Sequence, residues 1–349
     1  MLTAHLKNRQ FKFQTSESVR PTIREICGKE KGISEYYQIG ESESGRPIDA
    51  VRIGTGSRTV SLIAGAHSDE PAGPETLRYL IHLWTAHKEE FASLLDRFCF
   101  IIIPHIDPDG EARNRKWTEH FPLLPPFLQH QFREPPGRDV EFGFPEMRPE
   151  NKAASDFISA YTPISLHLSL HGMGVADGLW LLIDKHWIDK TKELQSDFIR
   201  FAAERGYPLH DYDRQGEKGF HYIAPGLSTT PESEAMKHCF LEQDDPETAG
   251  KFHKNSMEFV RSFGGDPLCL VTEIPLFLIR KKMESHEPGV PTAYLEFKEK
   301  LPRIRQALRE NKSVEKMINP FRIQPIDLRT AIELQLRIID FGIKAISDM

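Results

Sequence analysis

A histidine and a glutamate stand three positions apart, directly after a short apolar segment of this sequence. The segment is residues 60–64, and His67 and Glu70 follow it. An imidazole nitrogen and one or two carboxylate oxygens suit a borderline metal such as zinc. The pattern H-x-x-E is a weak signal by itself, because a surface histidine and glutamate reach this spacing easily by chance. The alternative is that the two side chains cap or bridge the helix that follows.

A second histidine and a further acid close two other apolar segments. Apolar and polar residues alternate over 164–171, which predicts a strand with one polar face that carries His167 and His171. Polar groups on a buried strand need partners or a function. Both histidines are candidate ligands, and the position of His171 at the predicted strand end favours it. Glu273 stands near the end of the apolar segment 268–274; its alternative role is a structural ion pair with an arginine.

The elements that must position these residues alternate between strands and helices. A hairpin is predicted around 41–47, buried strands at 60–64 and 98–103, and helices at 149–161, 191–205 and 250–263. This alternation predicts an α/β fold with a single doubly wound mixed sheet of about eight strands flanked by helices. We expect residues 1–290 to form this domain and residues 291–349 to form a helical C-terminal extension packed on it. Ligands of such sheets bind beyond the carboxyl ends of the strands, so His67, Asp107, His171 and Glu273 are expected to converge.

The composition of the chain excludes several classes of function. Of its 349 residues, 39% are hydrophobic, which is enough for a large core. The net charge of −6 argues against nucleic acid or an anionic membrane as the main partner. The four cysteines are widely spaced without a C-x-x-C motif, so buried thiols are expected. No signal peptide or transmembrane run is visible, which predicts a cytoplasmic protein. The oligomeric state is not indicated.

Taken in order, these motifs resemble the M14 family of zinc carboxypeptidases. The resemblance covers about residues 36–275 and is loose over 174–267. Its motifs are the hairpin phrase 40–48, the H-x-x-E motif, the loop 107–110 (Asp-Pro-Asp-Gly, where the family has Asn-Pro-Asp-Gly), the segment 148–153, Leu-Ser-Leu-His at 168–171 and Val-Thr-Glu-Ile-Pro at 271–275. Several motifs in the same order are far more specific than any one of them.

The resemblance implies one zinc ion per chain, bound by His67, Glu70 and His171, and a peptide-type amide substrate. Three protein ligands leave one position open, and zinc lowers the pKa of water toward neutrality. Glu273 would be the general base for that water and then the acid for the leaving amine. His167 would then support the site or belong to the core.

The resemblance also implies an arginine that stabilises the developing oxyanion, after the Asp-Pro-Asp-Gly loop. Arg113 and Arg115 both follow Gly110, and the sequence does not choose between them. The family also closes a tyrosine over its substrate. Between His171 and Glu273 the tyrosines are Tyr207, Tyr212 and Tyr222, and none of them matches a motif.

One stretch departs from the family. M14 carboxypeptidases usually carry an Asn-Arg pair that binds the terminal carboxylate of the substrate, and the corresponding stretch, 137–145, has Glu141 and Phe142 at those positions. An arginine fork binds a carboxylate through two hydrogen bonds, whereas a glutamate would repel it. We therefore expect Glu141 and Phe142 to bind substrate, with a preference for an amine, an amide or an uncharged distal group.

Three functions follow from these observations. The first is a zinc-dependent hydrolase that cleaves an amide bond, most simply as a carboxypeptidase. The second is a zinc deacylase that acts on a small N-acyl compound, and the third is a non-catalytic binding protein that keeps the fold. No G-x-S-x-G, Walker P-loop or complete G-x-G-x-x-G motif supports another enzyme class.

Overall fold

A single mixed sheet with helices on both faces organises the chain. The computed structural model describes residues 2–7, 9–30, 32–283 and 287–347. Within these residues the strands are β1 Ser34–Glu41, β2 Pro47–Ile53, β3 Arg58–Ala64, β4 Phe98–Ile103, β5 Ile164–Ala176, β6 Trp180–Ile183, β7 Tyr222–Ala224, β8 Leu227–Thr229, β9 Leu268–Leu278 and β10 Gln324–Pro325.

The α-helices differ widely in length, and the longest lies at the C-terminal end. They are α1 Ser16–Lys29, α2 Ala72–Ala86, α3 Ala92–Arg97, α4 Pro108–Thr118, α5 Leu124–His130, α6 Pro149–Ser159, α7 Lys192–Glu204, α8 Ser233–Leu241, α9 Pro246–Ala249, α10 Ser256–Arg261, α11 Thr292–Arg309, α12 Glu315–Ile318 and α13 Leu328–Ser347. Every helix in the described part of the chain is too short or too polar to span a lipid bilayer.

The strand order brings four parallel strands to the centre of the sheet. The order is β1-β2-β4-β3-β5-β9-β6-β8-β7, and β10 pairs with β9. Strands β4, β3, β5 and β9 run parallel to their neighbours in this row, whereas β2 and β6 on either side are antiparallel to them. The carboxyl ends of the four central strands therefore meet at one edge of the sheet. The prediction of a mixed α/β sheet flanked by helices is confirmed.

Both faces of the central strands are buried, as their continuous apolar sequences predict. In β4, Phe100 and Ile102 belong to a core shared with α2 and α13, while Ile101 and Ile103 belong to a core shared with α6. All six residues of β4 are buried. Because neighbouring side chains of a strand point to opposite faces, this alternation fixes the register of the strand.

The C-terminal segment packs onto the sheet. Helix α13 contacts β5 and β9 and lies against α2 and α7. Gln335, in the middle of α13, donates hydrogen bonds to the carbonyl oxygen of His171 (3.1 Å) and to the Thr272 hydroxyl (3.2 Å). The apolar face of α13 meets the apolar face of the sheet at this point. The buried Gln335 amide is satisfied by polar atoms of β5 and β9. The domain boundary at residue 290 stays a prediction.

Three segments differ from the sequence-based expectations. The proline-rich stretch 122–137, expected to be a loop, contains α5, whose Phe127 and Leu128 are buried. The helix expected over 250–263 is the shorter α10, which begins after Asn255 with a capping box. Strands β5 and β9 continue past His171 and Glu273 to residues 176 and 278, because they keep pairing with each other in parallel register.

Candidate metal centre and adjoining cavity

The three residues expected to bind zinc meet at the carboxyl edge of the sheet. The Nδ1 atoms of His67 and His171 lie 3.1 Å apart. Glu70 lies between them, with Oε1 at 3.1 Å from His67 Nδ1 and Oε2 at 2.9 Å from His171 Nδ1. Two imidazole nitrogens and a carboxylate, which come from two distant parts of the chain, thus converge on one point.

A tight turn after β3 brings His67 and Glu70 to this point. The turn begins at Gly65, which has a φ of +77°, and a Cβ atom there would lie 2.4 Å from the His105 ring. Only glycine fits such a position without strain. The turn ends where α2 begins, and the backbone N–H of Gly172 donates to Glu70 Oε2 (3.1 Å). That bond ties the turn to the strand that carries His171.

The donor set fits a zinc ion. Tetrahedral zinc with ligand distances of about 2.0–2.1 Å keeps neighbouring ligand atoms roughly 3.3 Å apart. The three separations between ligand atoms here, from 2.9 to 3.1 Å, are close to that value. Two nitrogens that face each other at this distance cannot both donate a proton to the other. A cation between them satisfies both lone pairs and the carboxylate.

Electrostatics favours the ionised form of Glu70. Burial opposes its ionisation, but the charges of Arg133, His67 and His171 outweigh this effect and hold the pKa of Glu70 well below its usual range. Burial likewise disfavours a charged His171, yet the Glu70 charge and hydrogen bonds to Glu141 and Glu70 raise the pKa of His171 well above its usual value.

Glu141 contacts His171 on the side away from the other ligands. Its Oε2 lies 3.1 Å from His171 Nε2, and its Oε1 accepts a hydrogen bond from Ser256 Oγ (3.4 Å). The side chain is buried, with 4% of its surface exposed. Glu141 therefore lies behind the His171 ring with a protein partner at each oxygen, and its role in substrate binding stays a prediction.

Phe142 and His167 both belong to the interior. Phe142 is buried and packs edge-on against Phe252 with ring centroids 5.4 Å apart, so the structure does not bring it to the metal centre as a substrate contact. His167 is fully buried, and its Nδ1 lies 3.0 Å from Ser61 Oγ. Burial lowers the pKa of His167 to about 4, so this ring is neutral. Of the two candidate histidines on β5, His171 is the one beside His67 and Glu70.

Glu273 lies beside His171 on the neighbouring strand. The two residues are direct partners in the parallel register of β5 and β9, so their side chains emerge on the same face. Burial and the negative charge of Glu70 raise the pKa of Glu273 well above its usual value, although His171 and Arg133 oppose the rise. Glu273 and Glu70 line one cavity.

The two arginines predicted to stabilise an oxyanion have partners outside the metal centre. Arg113 is 59% exposed and pairs with Glu134 at 3.7 Å. Arg115 is 65% exposed and pairs with Glu119, one turn further along α4. The structure therefore does not bring these arginines to the three ligands, because both side chains are exposed to solvent and pair with acids outside the centre.

Arg133 is an arginine that the structure does bring to the metal centre. Its Nε donates to Asp69 Oδ1 (2.8 Å), and its Nη2 donates to Glu70 Oε1. Gln131 Nε2 donates to the other oxygen of Asp69. Sequence reasoning missed Arg133 because it stands far beyond the Asp-Pro-Asp-Gly loop, in a proline-rich stretch without a recognisable period.

A cavity of about 490 Å³ opens beside the metal centre. Its walls include Glu70, Arg133, Trp180 and Glu273, together with residues of α11, among them Tyr294. Burial raises the pKa of Tyr294 to about 12, and the charge of Glu273 contributes to the rise. Tyr294 also escaped the sequence analysis, because it follows Glu273 in the chain, whereas a tyrosine was sought before it.

A second group of possible metal ligands lies on the surface. It consists of His5, His87 and Glu90, and His5 Nε2 is 2.9 Å from Glu90 Oε2. The two imidazole rings are stacked, with centroids 4.0 Å apart. The lone pairs of stacked rings lie in two nearly parallel planes and do not converge on one point between the rings. This group is therefore less suited to a shared ion than the buried one.

Comparison with known proteins confirms the resemblance seen in the sequence. Residues 20–178 match the family model described as zinc carboxypeptidase, Peptidase M14. A zinc carboxypeptidase A 1 of Anopheles gambiae is 26% identical over 151 residues, which is 41% of this chain and 34% of that protein. An inactive metallocarboxypeptidase ECM14 of Ajellomyces capsulatus is 31% identical over 108 residues, which is 28% of this chain and 18% of that protein. The chain thus aligns with about a third or less of the length of these two relatives.

Solved structures show the same fold. The carboxypeptidase A of Helicoverpa armigera superposes with a TM-score of 0.55 at 14% identity, covering 97% of this chain and 74% of that one. The similarity extends over nearly the whole chain, including the C-terminal helices that the family model leaves unmatched.

Proposed function

We propose that this chain, with its M14 zinc carboxypeptidase region and fold, is a zinc-dependent hydrolase that cleaves an amide bond of the peptide type. One observation carries the proposal. The Nδ1 atoms of His67 and His171 and the carboxylate of Glu70 converge within about 3 Å of one another, and Glu273 is the strand partner of His171 beside the same cavity.

In this proposal His67, Glu70 and His171 hold the zinc ion. When bound, zinc supplies a Lewis acid that polarises a carbonyl group and lowers the pKa of water. Glu141 holds the His171 ring by its Nε2 atom, so that Nδ1 keeps its lone pair for the metal.

Glu273 moves the protons. It accepts a proton from the attacking water as the new C–O bond forms, and it gives that proton to the amide nitrogen as the C–N bond breaks. Water and an amide are thereby converted to a carboxylic acid and an amine, with no other reactant. The first step requires ionised Glu273, and the raised pKa of Glu273 favours the second step, in which the carboxyl group holds the proton before giving it to nitrogen.

Arg133 takes the place that the sequence analysis left open between Arg113 and Arg115. It lines the same cavity as Glu70 and Glu273. Its guanidinium is fixed by Asp69 and Glu70, so it lies within the site before substrate arrives. A fixed cation beside a developing negative charge lowers the barrier by several kcal/mol, on the order of 10²–10³ in rate.

Two alternatives are distinguished by experiment. A zinc deacylase of small N-acyl compounds shares the same centre, and the absence of the Asn-Arg pair at 141–142 favours it. A non-catalytic protein is suggested by relatives that are named inactive.

The test is hydrolysis, by zinc-loaded protein, of matched peptides with free and amidated C-termini and of N-acetyl amino acids. Hydrolysis of the N-acetyl compounds alone selects the deacylase, and zinc-loaded protein that cleaves none of them contradicts the proposal.

A further inference from the structure

Helix α11 forms one wall of the cavity beside the metal centre. Its contribution consists of Tyr294, Phe297, Lys298, Leu301 and Arg305. These residues recur at intervals of three and four, so they share one face of the helix. The segment expected to be an extension therefore stands next to the reacting groups.

The side chains that line the cavity include more cations than acids. Among the described residues that line it, the cations are Arg133, Lys298 and Arg305, and the acids are Glu70 and Glu273. Arg133 is paired with Asp69 and Glu70. Arg305 and Lys298 face the cavity from the opposite side, on α11.

Arg305 is held in place without an acidic partner among the residues that the structure describes. Its Nη2 donates to Gln131 Oε1, which is a neutral acceptor. Its Nε is buried and makes no hydrogen bond to a described residue. Burial lowers the pKa of Arg305, and its like-charged neighbours Arg309 and Arg133 lower it further, although Asp69 opposes them. A part-buried guanidinium with a buried, unsatisfied Nε is a group that an anion stabilises.

Hydrogen bonds join this arginine to the metal ligands. Gln131 accepts from Arg305 and donates to Asp69, and Asp69 accepts from Arg133, which reaches Glu70. The position of Arg305 relative to the metal centre is therefore set by a continuous chain of contacts. A substrate group bound at Arg305 would have a fixed distance to the scissile bond.

We propose that α11 is the specificity element of this enzyme, and that Arg305, assisted by Lys298, binds a carboxylate of the substrate away from the scissile bond. Among the aromatic residues that line the cavity, the part-buried Tyr294 offers surface to the apolar part of the same substrate. This proposal rests on the proposed function and replaces the sequence-based expectation of an uncharged or amine group. That expectation relied on Glu141, which is buried and contacts His171 and Ser256.

The carboxylate could be the end of a peptide or an acidic side chain, and the test separates the two. Peptides of one scaffold would carry a free C-terminus, an amidated C-terminus with a glutamate side chain, or an amidated C-terminus with a glutamine side chain. The wild type is expected to prefer at least one carboxylate over the uncharged peptide by tenfold or more in kcat/KM. Preference for the uncharged peptide would overturn the proposal.

The variants are Arg305→Gln and, as a matched control on the same helix, Arg303→Gln, whose side chain is exposed. Arg305→Gln is expected to raise KM for the carboxylate substrate tenfold or more, with kcat and the uncharged substrate changed less than threefold. Arg303→Gln should match the wild type. An equal loss on all substrates would mean a structural role and would overturn the proposal. Arg305→Lys, which keeps the charge, should recover part of the preference.

A binding measurement separates this inference from the hydrolase proposal. Calorimetry of zinc-loaded protein with 3-phenylpropanoate and with 3-phenylpropanol, neither of which has an amide bond, does not depend on turnover. We expect the protein to bind the acid more tightly than the alcohol, and Arg305→Gln but not Arg303→Gln to lose this difference. That result supports the inference even if no amide is cleaved. Equal binding of the acid by both variants would contradict it while leaving hydrolysis untouched.

Discussion

Glu141 Oε2 lies 3.1 Å from His171 Nε2, on the opposite edge of the imidazole ring from Glu70. The ring is thus held between two carboxylates. With Nε2–H donated to Glu141, the remaining lone pair is on Nδ1, the atom that faces His67. A carboxylate behind a metal-binding histidine fixes both the tautomer and the orientation of the ring.

We predict that Glu141→Gln weakens zinc binding by about 10- to 100-fold without unfolding the protein. The amide can still accept a hydrogen bond from His171, but it lacks the charge that makes the ring a better ligand. Competition with a chromophoric chelator measures the affinity. Glu146→Gln, an exposed change in the same loop, is the control. Equal affinity in the two variants would remove Glu141 from this role.

Metal content tests the choice of ligands. We expect close to one zinc per chain in the wild type and a near-complete loss in His67→Ala and His171→Ala. His167→Ala should keep its zinc, since His167 contacts Ser61 and not the cluster. His87→Ala controls for ions held at the surface group. If His167→Ala loses the metal while His171→Ala keeps it, the ligand assignment is wrong.

The variant Glu273→Gln tests the proposed role of Glu273 as general base. This variant is expected to bind zinc with the wild-type stoichiometry and to unfold at a similar temperature, while kcat falls by at least 10² because glutamine cannot accept a proton. Rates are compared at saturating substrate so that binding does not enter. Turnover above a few per cent of the wild type would exclude Glu273 as the base.

The three arginines make a matched set. We predict that Arg133→Gln lowers kcat/KM by about 10²–10³, whereas Arg113→Gln and Arg115→Gln stay within about twofold, because their exposed ion pairs contribute little. Arg133 also pairs with buried Asp69, so zinc content and thermal unfolding must be measured for each variant. A large loss of activity in Arg113→Gln or Arg115→Gln at full zinc content would restore the sequence-based assignment.

Asp107 gives the fold a pH dependence. Burial raises the pKa of its carboxyl from the ordinary 3.8 to about 6. Between pH 4 and 6 the unfolded chain therefore loses this proton before the folded protein does, and the free energy of unfolding falls as pH rises, with no further effect above pH 6. At about 1.4 kcal/mol per pKa unit, the free energy of unfolding falls by at most about 3 kcal/mol over this range.

Asp107→Asn should remove the fall in unfolding free energy between pH 4 and 6, because asparagine does not titrate. Asparagine also caps α4 equally well by accepting from the Gly110 N–H. The variant minus wild-type difference in unfolding free energy, measured in denaturant, should grow from pH 4 to 6 and then level off. A difference that is constant over this range would contradict the assignment to Asp107.

The sequence predicted the parts of the site that lie on the central strands or directly after them. His67, Glu70 and His171 stand in short motifs, and a buried parallel sheet brings the ends of its strands together whatever the connecting segments do. The central strand β4, whose residues are all apolar, was predicted with the bounds that the structure has.

Contacts between distant segments could not be predicted in this way. Arg133 and Arg305 reach the site through side-chain pairs between a proline-rich stretch and α11, and no local pattern encodes such a pair. The contacts of Glu141 could not be predicted for a related reason. A pattern gives the residue type at a position, but not which neighbour the carboxylate meets once the chain is folded.

The pairing of His171 with Glu273 across β5 and β9 has a consequence for how this molecule can change. Backbone hydrogen bonds between adjacent strands, roughly 4.8 Å apart, set the spacing between the proposed metal ligand and the proposed base. The intervening chain is not needed to set it. Insertions and deletions in the exposed loops between these strands can therefore change the surface around the cavity, while the spacing of His171 and Glu273 stays the same.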